Sequence, residues 1–127
     1  MRKSNLWYGA FSFLFFSLFV PAYTYAESQL EITFADLPVE LQLVTLCESK
    51  AKQEARGPYG EIGMLQIHPK YHLARAKSLG YDLYSPNGNM AYGFLLYTEN
   101  GLAPWKSSRG CWLKQLSYIQ SFAPLSF

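Results

Sequence analysis

Charge of one sign is the first thing this 127-residue sequence lacks. Of its 11 Lys and Arg, two, Arg2 and Lys3, lie in the first 26 residues, and the rest match the 9 Asp and Glu that all follow. Past residue 26 the net charge is therefore zero, which leaves no electrostatic footprint for nucleic acid or for an anionic membrane surface. Long apolar runs are equally scarce. One exists, Leu6 to Val20, and with Gly9, Ser12 and Ser17 inside it falls short of the roughly 20 residues that span a bilayer. Internal repeats, low-complexity tracts and an interior linker are all missing, which excludes solenoids and a second domain. Cysteine is nearly absent, with only Cys47 and Cys111, and none stands near position 27 to carry a lipid.

What is present starts with a basic, then apolar, then small-residue opening. Arg2 and Lys3 precede the apolar run, and Thr24-Tyr25-Ala26 offers a small-x-small cleavage site, the pattern of a secretory signal peptide over residues 1–26. Residues 27–127 then form one small domain, expected to bury about 65% of its unfolded surface. An exported chain meets oxidising conditions, so Cys47 and Cys111 are expected to pair. Closing so long a loop would stabilise by roughly 4 kcal/mol on the chain-entropy model. The alternative is two buried thiols packed as small hydrophobes.

The remaining pattern is mostly helical. Asp36 followed by Leu37-Pro38, with apolar residues at 37, 41 and 44, predicts a capped helix ending near Ser49. Arg56-Gly57-Pro58-Tyr59-Gly60 is a loop, and Glu61 to Ile67 is short and apolar, either a brief strand or a helical turn. Pro69 opens a second helix to about Leu79. Asn89 is expected to cap a third over Met90 to Tyr97, and Pro104 to Gly110 a loop before a fourth from Cys111 to Gln120.

Glu48 by itself would be an ordinary solvated carboxylate. Its surroundings are not ordinary: it closes an apolar helix, adjoins a cysteine and precedes a Gly-rich stretch. Glu48-Ser49 followed by Gly60-x-x-Gly63-x-x-Gln66-Ile67, then Tyr84-Ser85-Pro86-x-x-Asn89-x-x-x-Gly93-x-x-Leu96, resembles the ordered motifs of the soluble lytic transglycosylase and goose-type lysozyme superfamily. The blocks run from residue 37 to about 97. Gly101-Leu102-x-Pro104-Trp105 through Cys111-Trp112 is also similar to the tails of small lysozyme-like proteins. One departure stands out: where the family has an Ala-x-Asn-Ala-Gly-like block, this chain reads Tyr97-Thr98-Glu99-Asn100-Gly101, which leaves only Tyr92 and Tyr97 as guesses for the family's orienting tyrosine.

The resemblance implies a lysozyme-like fold of the α+β class, predominantly α with a minor strand element, and a peptidoglycan-cleaving enzyme without cofactor or metal. Glu48 would be the acid, then the base. Ser49 and Gln66 would hydrogen-bond substrate, Gly60 and Gly63 would permit close approach, and Asn89 would bind substrate unless helix capping accounts for it. Tyr59 and Tyr71 would line the cleft. The physics agrees with the assignment of Glu48, since a glycosidic acid must stay protonated near neutral pH and burial at a helix C-terminus raises a glutamate from about 4.3 towards about 6.

Hydrolytic relatives use further carboxylates, and the matching stretches here, Arg56-Gly57-Pro58-Tyr59 and His68-Pro69, hold none. Glu61, Asp82 and Glu99 remain as candidates. The resemblance thus implies a lytic transglycosylase, in which the substrate's own C6 hydroxyl attacks to give a 1,6-anhydro-muramyl product. The alternatives are a hydrolytic muramidase and a non-catalytic glycan-binding accessory protein. Peptidoglycan strands, and cell-envelope machinery beside them, are the expected partners in a periplasmic or secreted location. His68 and His72 share a spacing of four, but Pro69 lies between them and no third ligand is near, so a metal site is not expected.

Overall fold

A computed structural model describes residues 31–122. The expected leader over 1–26 lies outside the described residues. Those residues are mostly helical with almost no strand, and no helix among them is long and apolar enough to cross a membrane.

The first helix, α1, covers Val39–Ser49 and starts later than the sequence suggests. Asp36 does not cap it. Instead Asp36 ends a 3-10 turn, Phe34–Asp36, and its carboxylate accepts from the Thr33 backbone N–H (2.8 Å) and hydroxyl (2.6 Å). Pro38 occupies the capping position of α1, where a fixed φ suits helix entry. The helix stops because Lys50 and Ala51 are both left-handed, with φ of 55° and 58°. Their N–H groups turn back onto the carbonyls of Leu46 and Thr45, each at 3.1 Å, a closure that satisfies the last orphan acceptors just beyond Glu48.

The stretch Glu61 to Ile67 is neither helix nor strand. It makes only isolated antiparallel bridges, Arg56 with Ile62 and Ile62 with Ile67. Ile62 and Ile67 exchange both backbone bonds at 3.0 Å, and left-handed φ values at Gly63 (74°) and Gln66 (47°) fold the chain between them too tightly for a ladder to extend. The minor strand element thus shrinks to a bridged turn.

Helix α2, Pro69–Ser78, agrees with the sequence reading, with His68 as its cap. Helix α3 is Pro86–Asn100, starting four residues before the expected Met90. Ser85 caps it by accepting the Gly88 N–H at 3.0 Å, and Pro86 sits in its first turn. Asn89 is therefore inside the helix, not at its cap. The expected loop after Pro104 is also shorter, because a 3-10 segment, Ala103–Ser108, runs directly into α4, Arg109–Phe122.

The core gathers Leu41 and Val44 of α1, Ile62 and Leu65 of the bridged turn, Leu83, and Tyr92 and Leu96 of α3, under Trp105 and Trp112. Each indole N–H finds an acceptor. Trp105 Nε1 donates to the Leu65 carbonyl at 2.8 Å and Trp112 Nε1 to the Trp105 carbonyl at 3.1 Å. Cys47 and Cys111 form a disulfide with Cα atoms 6.0 Å apart, tying the end of α1 to the first turn of α4.

Candidate active site

Glu48 and Glu61 line one cavity of about 330 Å³, together with Pro58, Gln66, His68 and residues of the 3-10 wall, Pro104, Trp105 and Ser107. Gln66, His68, Pro104 and Trp105 also line a second cavity of about 240 Å³ that reaches Tyr71, His72 and Leu96. The two adjoin along these shared residues and make one groove past the Glu48 carboxyl.

Why Glu48 faces that groove follows from the helix end. The left-handed pair at 50 and 51 breaks α1 just past Glu48, the disulfide at Cys47 brings the start of α4 over it, and the turn holding Gln66 closes the other side. Burial raises the Glu48 carboxyl above the usual glutamate range. The Ser108 hydroxyl acts against the rise, and the nearby Glu61 charge adds to it. A carboxyl so placed holds its proton to higher pH than an exposed glutamate, the direction required of an acid that donates to a leaving oxygen.

Glu61 enters the cavity through space left by Gly57. A Cβ at residue 57 would come within 2.1 Å of Glu61 Oε2 and 2.8 Å of Gln66 Oε1, so a side chain there would expel the carboxylate. The Tyr59 backbone N–H donates to the same Oε2 at 2.9 Å, and the Gly57 N–H bonds the Glu61 carbonyl at 3.0 Å. Sequence spacing gave no family reason to place an acid at 61. The signal that was there is the glycine four residues earlier, which the turn folds against the acid. Asp82 and Glu99 lie elsewhere: Asp82 Oδ1 accepts the Tyr84 N–H at 2.9 Å beside another groove, and Glu99 is held in a bidentate pair with exposed Arg75 at 2.6 and 2.9 Å.

The other expected site residues separate into two groups. Gln66 lines the cavity, its side-chain N–H group donating to the Gly63 carbonyl at 2.8 Å while the carbonyl oxygen lies towards Gly57. Tyr71 borders the adjoining cavity and is 67% exposed. Ser49 is not free for a ligand, since its hydroxyl donates to the Met64 carbonyl at 2.8 Å and accepts the Lys52 N–H at 3.2 Å, which pins the turn to the helix end. Tyr59 is not among the lining residues. Its ring is 77% exposed, and its contribution to the site is the backbone N–H on Glu61.

Asn89 is fully buried and therefore closed to substrate. Its amide accepts the Leu65 N–H at 3.0 Å and donates to the carbonyls of Ile62 (2.9 Å) and Leu83 (3.0 Å). Gly63 lets it come close, because a Cβ there would lie 2.5 Å from the Asn89 amide nitrogen. Tyr92 is also fully buried, with its hydroxyl 3.1 Å from His72 Nδ1, so it cannot be an orienting tyrosine in the groove. His72 lies below the ordinary imidazole range through burial, then through Arg75 and His68, and borders the groove's second cavity. Among the described residues no cluster of three or more His, Cys, Asp or Glu comes together to hold a metal ion.

Comparisons of the chain with protein-family models, with curated proteins and with solved structures find no match.

Proposed function

We propose that this chain is an exported, lysozyme-like peptidoglycan lytic transglycosylase that cleaves the MurNAc-GlcNAc β-1,4 bond with Glu48 as acid and then base. The observation that carries the reading is the desolvated Glu48 carboxyl at the end of α1, facing a groove that continues past Gln66 and Trp105 to Tyr71. The ordered motifs around Glu48 and Gln66 supply the substrate class. Protonated Glu48 gives its proton to the leaving oxygen as positive charge develops on the sugar. The resulting carboxylate then takes the proton of the muramyl C6 hydroxyl, which closes the 1,6-anhydro ring. Capture by a tethered hydroxyl enjoys an effective molarity up to about 10⁵ M or more, enough to outrun water in an open groove.

A second reading, hydrolysis, is favoured by one observation. Glu61 shares the cavity with Glu48, and its carboxylate occupies the space in front of Gly57, so a second acid is available to hold water. The two readings part on the product. Digestion of purified peptidoglycan followed by mass spectrometry should release muropeptides with anhydro-muramyl ends, lighter by one water than reducing ends. Reducing ends would establish the muramidase, and glycan binding without cleavage would move the chain to the accessory class.

Glu61→Gln tests the same division. For the lyase the variant should remain active, with the basic limb of its pH-rate profile moved to lower pH, because removing the Glu61 charge removes one cause of the raised Glu48 carboxyl. A loss comparable to that of Glu48→Gln would show two acids at work.

A further inference from the structure

The cavity beside Glu48 is rich in hydrogen-bond acceptors and poor in donors. Glu61 accepts as a carboxylate, and the one proton Glu48 carries is the one it gives away. Gln66 offers only its carbonyl oxygen, because its side-chain N–H groups donate to the carbonyls of Gly63 at 2.8 Å and Ala55 at 3.3 Å. The Trp105 indole N–H is taken by the Leu65 carbonyl. Among the lining residues, side-chain donors then remain on exposed Ser107 and on partly buried His68.

His68 caps α2, its Nδ1 accepting the Lys70 backbone N–H at 3.3 Å. A backbone N–H can only donate. Nδ1 in that bond therefore carries no proton, and the proton of the neutral ring sits on Nε2. The Tyr71 ring, 4.8 Å away in a tilted contact, braces the imidazole, and Nε2 has no hydrogen-bond partner among the described residues. His68 lines both parts of the groove, the cavity that holds Glu48 and the one that reaches Tyr71. The bond of His72 to the Tyr92 hydroxyl fixes no such direction, since a hydroxyl can donate or accept.

We propose that His68 is a specificity-determining residue of the groove, its Nε2–H donating to an acetamido carbonyl of the glycan while the Gln66 carbonyl oxygen accepts the same group's N–H. The inference rests on the reading of the groove as a site for N-acetylated glycan. Ring hydroxyls can give their protons to the acceptors already there. A carbonyl can only accept, so it needs a donor, and His68 is the one whose direction the fold sets. Loss of the acetyl group leaves an ammonium, which donates and cannot accept, so Nε2–H has nothing to offer it.

Capping alone would make His68 a residue of stability and not of specificity. Asn separates the two roles, because it is among the best capping residues and lacks the reach of the imidazole edge.

The test is binding of tetra-N-acetylchitotetraose and of its fully N-deacetylated counterpart to the wild-type protein and to His68→Asn by calorimetry, beside a proton–nitrogen correlation spectrum of the histidine rings. Both probes lack peptide, so stem amides cannot account for a difference between them. The wild-type spectrum should show His68 protonated on Nε2 alone, with that resonance moving when the acetylated tetramer is added and holding still with the deacetylated one. In His68→Asn the acetylated tetramer should bind about 10-fold more weakly, the size of one hydrogen bond, with affinity for the deacetylated tetramer unchanged. A proton on Nδ1, an Nε2 resonance that ignores the acetylated tetramer, or a variant that binds both tetramers as the wild type does or loses both equally would each overturn the proposal. Should His68→Asn fail to fold, the wild-type spectra decide alone. Neither readout needs turnover: an Nε2 response without cleavage of peptidoglycan would sink the enzyme and keep the role of His68, and cleavage with an unresponsive Nε2 would do the reverse.

Discussion

Glu48→Gln should lower turnover on peptidoglycan by at least about 100-fold and should not destabilise the domain. The amide keeps the shape and the hydrogen-bonding reach of the carboxyl but cannot give up and recover a proton, and general acid and base catalysis is worth factors of that order. The stability half follows from the direction of the shift. A carboxyl raised in the folded state binds more protons folded than unfolded at pH values between the two pKa values. Across that window stability falls as pH rises, and above it the penalty for burying the anion is complete. Below the unfolded value both states are protonated and the penalty disappears. Glutamine carries no such penalty, so at neutral pH the variant should melt at or above the wild-type temperature, with the gap closing below about pH 4. Melting curves across pH read this beside the rate. A variant that loses activity by unfolding would remove Glu48 from the chemistry and make it a structural residue.

Part of this site could be read from residue order and part could not. Glu48 stood out because three local features converge on it, an apolar helix, a cysteine next door and a glycine-rich turn to follow, each with a chain-local cause. The pairing of Cys47 with Cys111 followed from the expected export of a chain with two cysteines, and the structure contains that bridge. The starts of α1 and α3 moved for one cause: Asp36 and Asn89 are residue types that cap helices, but each found a better partner. For Asp36 the partner was local, the Thr33 N–H and hydroxyl. For Asn89 it was distant, three backbone groups on two other segments. Propensity reads the capacity to accept an N–H, while tertiary packing chooses which N–H.

Glu61 shows the same limit from the other side. Family spacing put no acid at 61, and nothing in the residue's type corrected that, because its position depends on the void at Gly57 and on a turn whose bonds close only in three dimensions.

Asn89→Ala should cost about 4 kcal/mol, and it should show as a fall in melting temperature on the order of 20 °C for a domain of this size. The estimate rests on what the truncation leaves behind. The buried Leu65 N–H would be left without a partner, at roughly 1 to 3 kcal/mol, while the carbonyls of Ile62 and Leu83 would each lose one of two bonds, keeping the Ile67 N–H and the Gln53 amide, at roughly 1 kcal/mol apiece. Water is poorly placed to replace the amide, because Gly63 and Asn89 already sit in contact. The damage should spread to function through the turn, since Ile62, Gly63 and Leu65 carry the chain to Gln66 on the wall of the groove. Activity measured well below the new melting temperature should therefore fall through kcat as the wall loosens, and thermal unfolding should report the main effect. Were Asn89 a substrate ligand, the melting temperature would hold and KM alone would rise. That pattern would mean the amide is exposed to the groove in solution and that its three hydrogen bonds, to the turn and to Leu83, are not what holds the site together.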